Sequence, residues 1–148
     1  MKLEILVGQP ACGKSSYCDF ARDSHDEPIV LSSDEARFLI SGDENNQQCS
    51  GRAFKFLKLA LEMLLRQNKN VIVDATNITK KARKDWVKLG RKYGALVQIT
   101  VFKVPVDVCK ARNAGRERKV PEGVIESMAA RLEEPTLDEC DQILVIEG

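Results

Sequence analysis

The feature that most constrains this chain is the segment at residues 8–15, which reads GQPACGKS. It has the Walker A spacing, with four residues between its glycines and a Lys-Ser pair after the second. Glycines allow the successive N–H groups of such a loop to turn inward toward phosphate oxygens. An apolar run at 3–7 predicts a strand before the loop, and a helix is predicted to begin near Lys14. The context therefore favours a phosphate-binding loop over a turn with accidental spacing.

Two side chains of this loop have predicted roles of their own. Lys14 is expected to reach the β- and γ-phosphates of ATP or GTP, and the Ser15 hydroxyl to ligate Mg²⁺. Cys12 is interpreted mainly as a small residue that fills space. The predicted nucleotide-binding residues of the segment are Gly8, Gln9, Pro10, Ala11, Cys12, Gly13, Lys14, Ser15 and Ser16.

Short β-rich runs alternate with helical runs along the chain. This alternation predicts an α/β fold in which crossover helices connect the strands of a parallel sheet. Without a repeat or linker, we expect a single domain over residues 1–148. Strands are predicted at 3–7, 29–32, 71–73, 96–103 and 142–146, and helices at 14–21, 34–40, 52–66, 79–93, 107–113 and 121–132, with a polar loop at 41–50.

The composition excludes several classes of protein. The hydrophobic fraction of 43% and the charged fraction of 30% are typical of a globular protein. No apolar run approaches the roughly 18 residues of a membrane span, and the first residues lack the features of a signal peptide. Five scattered cysteines and one histidine form neither a zinc pattern nor a disulfide framework. We therefore expect a cytoplasmic protein with reduced thiols, no disulfide partner and no membrane association.

Positive charge is concentrated in one part of the chain. Residues 80–119 contain thirteen Lys or Arg and three acidic residues, although the net charge of the whole chain is +1. Such an excess favours polyanionic ligands, including nucleic acid. For residues 80–92 alone, a solvated helix face is an equally good interpretation. No aromatic residues alternate with these bases as they do in a platform that stacks single strands.

A carboxylate follows the second predicted strand. Ligands of parallel α/β sheets bind beyond the carboxyl ends of the strands, so Asp34 is expected to face the phosphate loop. There it would accept a proton from an attacking hydroxyl, which is the role of the base in kinases. Its position equally fits the N-cap of a helix. Arg37, on the same face of that helix, is a candidate to hold an acidic group of the acceptor.

Two further segments complete the candidate site. Asp74 ends an apolar strand, as in a Walker B motif, and would bind Mg²⁺ through water or orient Lys14 and Ser15; a strand-end cap is the alternative. The basic segment at about 112–121 is a candidate lid that would close over the nucleotide. In it, Arg112 and Arg116 would share a helix face if the helix continued; a solvated loop is the alternative.

These segments together resemble the polynucleotide 5′-hydroxyl kinase family, the P-loop kinase modules of phage and bacterial enzymes that heal nucleic-acid ends. The similarity covers the chain from its first strand to about Met128. Besides the phosphate loop, it depends on Ser33-Asp34-x-x-Arg37, on Val73-Asp74-Ala75-Thr76-Asn77, on Arg112-Asn113 with Arg116 and Val120-Pro121, and on the polar run before Gly51.

The resemblance implies a fold and a set of roles. The fold would be the three-layer, nucleoside-kinase-like P-loop NTPase, with a five-stranded parallel sheet in the order 2-3-1-4-5. Asp34 would be the general base, and Arg37 would contact the phosphate next to the acceptor hydroxyl. The further residues that the resemblance implies are Lys14 and Arg116 in catalysis, Arg112 and Arg116 on the nucleotide phosphates, Asp74, Thr76 and Asn77 at the acceptor, and Ser15 and Asp74 at the metal.

The leading hypothesis is therefore Mg²⁺-dependent transfer of the γ-phosphoryl group of ATP to a 5′-hydroxyl end of DNA or RNA. A second hypothesis keeps this chemistry with a small metabolite or nucleoside as acceptor. A groove lined by residues 80–92 would favour nucleic acid, and a closed pocket beside Asp34 would favour the metabolite. The third hypothesis is a nucleotide-binding regulatory module without an acceptor.

Overall fold

Strand β1 (Lys2–Val7) lies at the centre of the sheet because most of its residues are apolar and residues 3–7 are buried on both faces. The structure is a computed structural model that describes residues 1–148. The other strands are β2 (Ile29–Ser32), β3 (Val71–Asp74), β4 (Leu96–Lys103) and β5 (Gln142–Glu147). All pair in parallel in the order β2-β3-β1-β4-β5, which confirms the predicted fold and strand order.

Six α-helices connect and cover these strands. The predicted helices are all present, and their ends differ from the predictions by one or two residues. The loop predicted at 41–50 contains a short 3₁₀ helix, Gln47–Cys49. No helix is both long enough and apolar enough to cross a membrane. The α-helices are α1 (Lys14–Arg22), α2 (Ser33–Ser41), α3 (Ser50–Arg66), α4 (Lys80–Lys92), α5 (Val106–Ala114) and α6 (Glu122–Arg131).

The alternation of side chains along the strands divides the core into two layers. One layer joins alternate residues of β1 to the buried stripe of α3 and to Trp86 of α4. The other joins Leu6 to α1, α5 and α6. Each fully buried aliphatic side chain contributes roughly 1.5–3 kcal/mol. The principal members are Leu3, Ile5, Val7, Leu57, Leu61 and Leu65 in the first layer, and Leu6, Ile72, Phe102, Cys18, Cys109 and Ile125 in the second.

A buried polar cluster fixes α1 to the sheet. The carboxylate of Glu4 on β1 accepts hydrogen bonds from Tyr17 of α1, from Thr100 Oγ1 at 2.5 Å and from Gln98 Nε2 at 3.1 Å. Burial raises the pKa of the Tyr17 hydroxyl, and the adjacent Glu4 raises it further. Tyr17 therefore remains a hydrogen-bond donor. Because α1 continues directly from the glycine-rich loop, this cluster also fixes the position of the loop.

Candidate active site

Two glycines give the loop its shape. Gly13 has a φ of 105°, in the left-handed region that side chains disfavour. A Cβ on Gly8 would lie 2.5 Å from Cys12 Sγ and 3.2 Å from Phe102 Cβ, so only glycine fits there. The Gly8 N–H donates to the Thr76 carbonyl at 3.0 Å, which connects the loop to the segment after β3. The loop is thus held against two neighbouring strands.

Lys14 lies over the loop that precedes it. Its ammonium donates to the carbonyls of Gly8 at 2.8 Å and Gln9 at 2.9 Å. The side chain of Gln9 is buried, and its Nε2 donates to the Val104 carbonyl at 2.8 Å. The Gln9 amide therefore anchors the loop to the end of β4, and only the main chain of Gln9 remains for a phosphate.

Helix α2 presents Asp34 to the cleft. The N-cap of this helix is Ser32, whose hydroxyl accepts from the Glu35 N–H at 3.3 Å. Asp34 lies inside the first turn, so the alternative that it serves as the N-cap does not hold. Its side chain lines the same cleft as Lys14 and Ser15. The carboxylate therefore faces the phosphate loop, as predicted from the end of β2.

Two arginines bind the Asp34 carboxylate from opposite sides. Arg37, one turn later on α2, donates to Oδ1. Arg118 donates to Oδ2 through Nη1 at 3.0 Å and Nη2 at 2.9 Å. The Nε of Arg118 is buried without a hydrogen-bond partner and lies 3.4 Å from Glu44 Oε1. Asp34 is thus compensated in charge and fixed in orientation.

Sequence reasoning placed Arg118 in the basic segment but gave it no role of its own. Its partner Asp34 is 84 residues away in the chain, and no local pattern links the two. The signal available was a run of cations in the loop between α5 and α6, at the carboxyl edge of the sheet. That signal indicates proximity to the site, but it does not identify which cation meets the carboxylate.

Asp74 ends β3 and lines the cleft beside the loop. Burial raises the pKa of its carboxyl above the ordinary range; Lys14 opposes this shift, whereas Asp34 and Glu35 add to it. Ser15, at the start of α1, is exposed and lines the same cleft. A hydroxyl and a carboxylate on one cleft wall are the oxygen donors that Mg²⁺ prefers, so these residues fit the predicted metal.

Of the two acceptor contacts predicted after β3, Thr76 and Asn77, only Thr76 reaches the cleft. Asn77 is buried: its Nδ2 donates to the Leu6 carbonyl at 2.9 Å, and its Oδ1 accepts from Trp86 Nε1 at 3.1 Å. With a φ of 45°, Asn77 turns the chain from β3 toward α4. Its amide thus fastens β1 to α4 and is not brought to the predicted acceptor site.

The site consists of two adjoining cavities. An acceptor-side cleft of about 200 Å³ contains Asp34, Arg37, Asp74 and Thr76. A second cavity of about 320 Å³ lies against Gly13, Ser16 and Arg112. The residues that line both cavities are Ala11, Lys14, Ser15 and Arg116.

Arg116 therefore lies at the junction of the two cavities. Arg112 lies beside the loop, with Nη1 3.7 Å from the position of a Cβ on Gly13. The structure thus brings both predicted lid arginines next to the phosphate loop.

The basic helix α4 is not part of this site. None of its residues lines either cavity. Arg83 is fully buried and binds Glu139 through Nε at 3.0 Å and Nη2 at 3.3 Å, and Lys92 lies 3.5 Å from Glu62. Residues of α4 do line a groove with α3, but this groove shares no residue with the two cavities of the site. The solvated-face interpretation fits the remaining lysines.

Residues 3–135 match the AAA domain family. The chain belongs to this family. It is 31% identical to the transcription factor bHLH140 of Arabidopsis thaliana over 76% of this chain and 11% of that protein. It is 24% identical to the bifunctional polynucleotide phosphatase/kinase of Schizosaccharomyces pombe over 93% of this chain and 31% of that protein.

Among solved structures, a chain of the Pnkp1/Rnl/Hen1 RNA repair complex superposes with a TM-score of 0.78 at 28% identity. The match covers 88% of this chain and 43% of that chain. This AAA domain thus spans less than half the length of each of these three proteins. The resemblance to polynucleotide 5′-hydroxyl kinases is confirmed, and the fold is that of the P-loop kinases.

Proposed function

We propose that this chain transfers the γ-phosphoryl group of ATP to a 5′-hydroxyl end of DNA or RNA. The observation that carries the proposal is the shared cleft in which Asp34, clamped by two arginines, faces the phosphate loop and Lys14. The match to a polynucleotide phosphatase/kinase supports the choice of acceptor.

Asp34 performs the proton transfer. It accepts the proton of the acceptor hydroxyl as that oxygen forms a bond to the γ-phosphorus and the bond from the γ-phosphorus to the bridging oxygen breaks, releasing ADP. Each carboxylate oxygen offers about two acceptor sites. The hydrogen bonds from Arg37 and Arg118 therefore leave a lone pair free for the hydroxyl.

The remaining side chains stabilise negative charge. Lys14 and Arg116 line both cavities and contact the phosphoryl group in transfer, whereas Arg112 contacts the donor side of the nucleotide. Ser15 and Asp74 would hold Mg²⁺, which would supply positive charge to offset the negative charge of the phosphates.

Two features favour a strand end over a small metabolite as acceptor. Arg37 has five N–H donors, of which Asp34 and the Glu44 carbonyl use only some, so donors remain for a phosphate next to the acceptor hydroxyl. The cleft also adjoins an open groove, because Gln47 and Met128 line both cavities. A closed pocket would suit a metabolite, and an open groove suits a chain.

The decisive experiment uses γ-labelled ATP, Mg²⁺ and an oligonucleotide with a free 5′-hydroxyl; the same oligonucleotide phosphorylated at that position is the control. Label should appear on the first substrate and not on the second. In the Asp34→Asn variant, the rate should fall by about 10²–10⁴, the usual contribution of a general base, with ATP affinity unchanged.

The matched control is Glu35→Gln, which neutralises the next, exposed carboxylate of the same helix and should keep full activity. Full turnover by Asp34→Asn would disprove the base assignment. Label on a metabolite but on no oligonucleotide would show that the acceptor is a metabolite. Release of phosphate to water alone would indicate a regulatory module.

A further inference from the structure

A second cavity extends the acceptor side of the site. This groove, of about 680 Å³, lies between Asn45 and Gln47 on one side and the residues that precede and form α6 on the other. Within α6 its lining residues recur at helical spacing and so form one face of the helix. Gln47 and Met128 line both the groove and the catalytic cleft, so the two cavities adjoin. The lining residues on α6 are Gly123, Val124, Ser127, Met128 and Arg131.

The groove carries positive charge without compensation. Two of its lining residues are cations, Lys119 and Arg131, and none is acidic. Both cations are exposed, and neither takes part in an ion pair. The basic groove between α3 and α4 differs, because Glu62 and Asp85 lie within it and pair with its lysines. That groove keeps Lys55 and Lys88 unpaired but shares no residue with the catalytic cleft. Among the two grooves, the free positive charge that adjoins the active site is therefore that of Lys119 and Arg131.

We propose that this groove binds the nucleotides that follow the acceptor end, as a single strand, with Lys119 and Arg131 on its backbone phosphates. The inference rests on the proposed function. The first nucleotide would lie at Asp34 and Arg37, and the strand would leave past Gln47 and Met128.

The chemistry of the groove also indicates how the strand is recognised. No aromatic side chain lines the groove, so stacking of bases on rings contributes nothing there. Recognition therefore depends on phosphate contacts and on the amides of Asn45 and Gln47. Such binding is independent of base sequence, increases with acceptor length and weakens as salt rises.

The test compares acceptors of two lengths, a nucleoside 3′-phosphate and a tetranucleotide with a free 5′-hydroxyl. The double variant Lys119→Ala/Arg131→Ala should lose about tenfold in kcat/KM on the tetranucleotide, mainly through KM. It should lose nothing on the nucleoside 3′-phosphate, which does not reach the groove. Its slope of log(kcat/KM) against log(salt) should be shallower by about 1.4, at ~0.7 for each lost single-strand contact.

The matched control is Lys84→Ala/Lys88→Ala, which removes two exposed and unpaired lysines from α4. It should match the wild type on both acceptors, and the conservative variant Lys119→Arg/Arg131→Lys should restore the length dependence. Equal losses on both acceptors, or no loss on either, would contradict the proposal that this groove binds the strand, but not the proposed kinase activity. Labelling of neither acceptor by the wild type would instead overturn the proposed function, and this inference with it.

Discussion

Two basic stretches of this chain differ in what the fold does with their charge. Helix α4 carries seven Lys or Arg over Lys80–Lys92, and the segment at 112–121 carries four. In α4, Arg83 forms a buried ion pair with Glu139, and the other cations lie away from the cleft. In the second stretch, Arg112, Arg116 and Arg118 all lie against the phosphate loop or Asp34.

Whether a cation reaches the candidate site therefore depends on where its segment lies relative to the sheet, and not on how many cations the segment carries. Helix α4 leaves the carboxyl edge of β3 and crosses the sheet face toward the start of β4, so most of its surface faces away from the site. The segment after α5 follows the end of β4 and stays at the carboxyl edge, where ligands of such folds bind. The same kind of cation is therefore structural or solvated in one stretch and close to the phosphate loop or Asp34 in the other.

The largest effect is expected from Arg83 of α4, on the free energy of unfolding. Arg83→Ala leaves Glu139, largely buried, without its partner and removes the donor to the Asn77 carbonyl at 2.9 Å. Loss of one member of a buried pair costs about 3–5 kcal/mol of unfolding free energy. Urea unfolding should show this loss, whereas the exposed neighbour Lys84→Ala should change stability by less than about 0.5 kcal/mol. An Arg83→Ala protein of wild-type stability would show that the pair is not structural.

The next largest effect is expected in the segment at 112–121, on the rate of phosphoryl transfer. Arg116→Ala should slow single-turnover transfer by about 10²–10³ at saturating ATP, because a donor at the junction of the two cavities stabilises charge that develops during transfer. Urea unfolding should be unchanged, since Arg116 forms no ion pair in the fold. If Lys84→Ala slowed transfer to the same degree, the contrast between the stretches would fail.

Much of the fold could be predicted from local sequence signals. Buried parallel strands appear as short apolar runs, and the phosphate loop has a fixed spacing between β1 and α1. These signals also located Asp34 and Asp74, because each directly follows a strand whose end reaches the ligand edge. The local pattern was sufficient wherever the chemistry depends on residues adjacent in sequence.

The rest depends on contacts between distant parts of the chain. The local sequence fits Asp34 as the N-cap of α2, and only the structure shows that Ser32 holds that position. The motif around Asn77 predicts a contact with the acceptor. Instead, the Asn77 amide hydrogen-bonds to the Leu6 carbonyl and to the Trp86 indole. The pairing of Arg118 with Asp34 spans 84 residues. No periodicity or spacing encodes such pairs, because they arise only when helices and loops pack on the sheet.

The smallest effect is expected from Arg118, on kcat, and it tests whether this residue orients Asp34. Arg118→Ala should lower kcat about tenfold, the value of one charge-assisted contact, without changing ATP affinity, because Asp34 Oδ2 loses the two donors that orient it. Arg118→Lys should recover only part of the rate, since an ammonium cannot reproduce the paired contact.

A double-mutant cycle separates this positioning role from a direct one. In an Asp34→Asn background, Arg118→Ala should have little further effect, because the carboxylate that it orients is already gone. If the two losses instead multiplied, Arg118 would act on the substrate phosphates independently of Asp34, the role proposed for Arg116. The whole basic segment would then face the nucleotide and the acceptor directly, which would sharpen its contrast with α4.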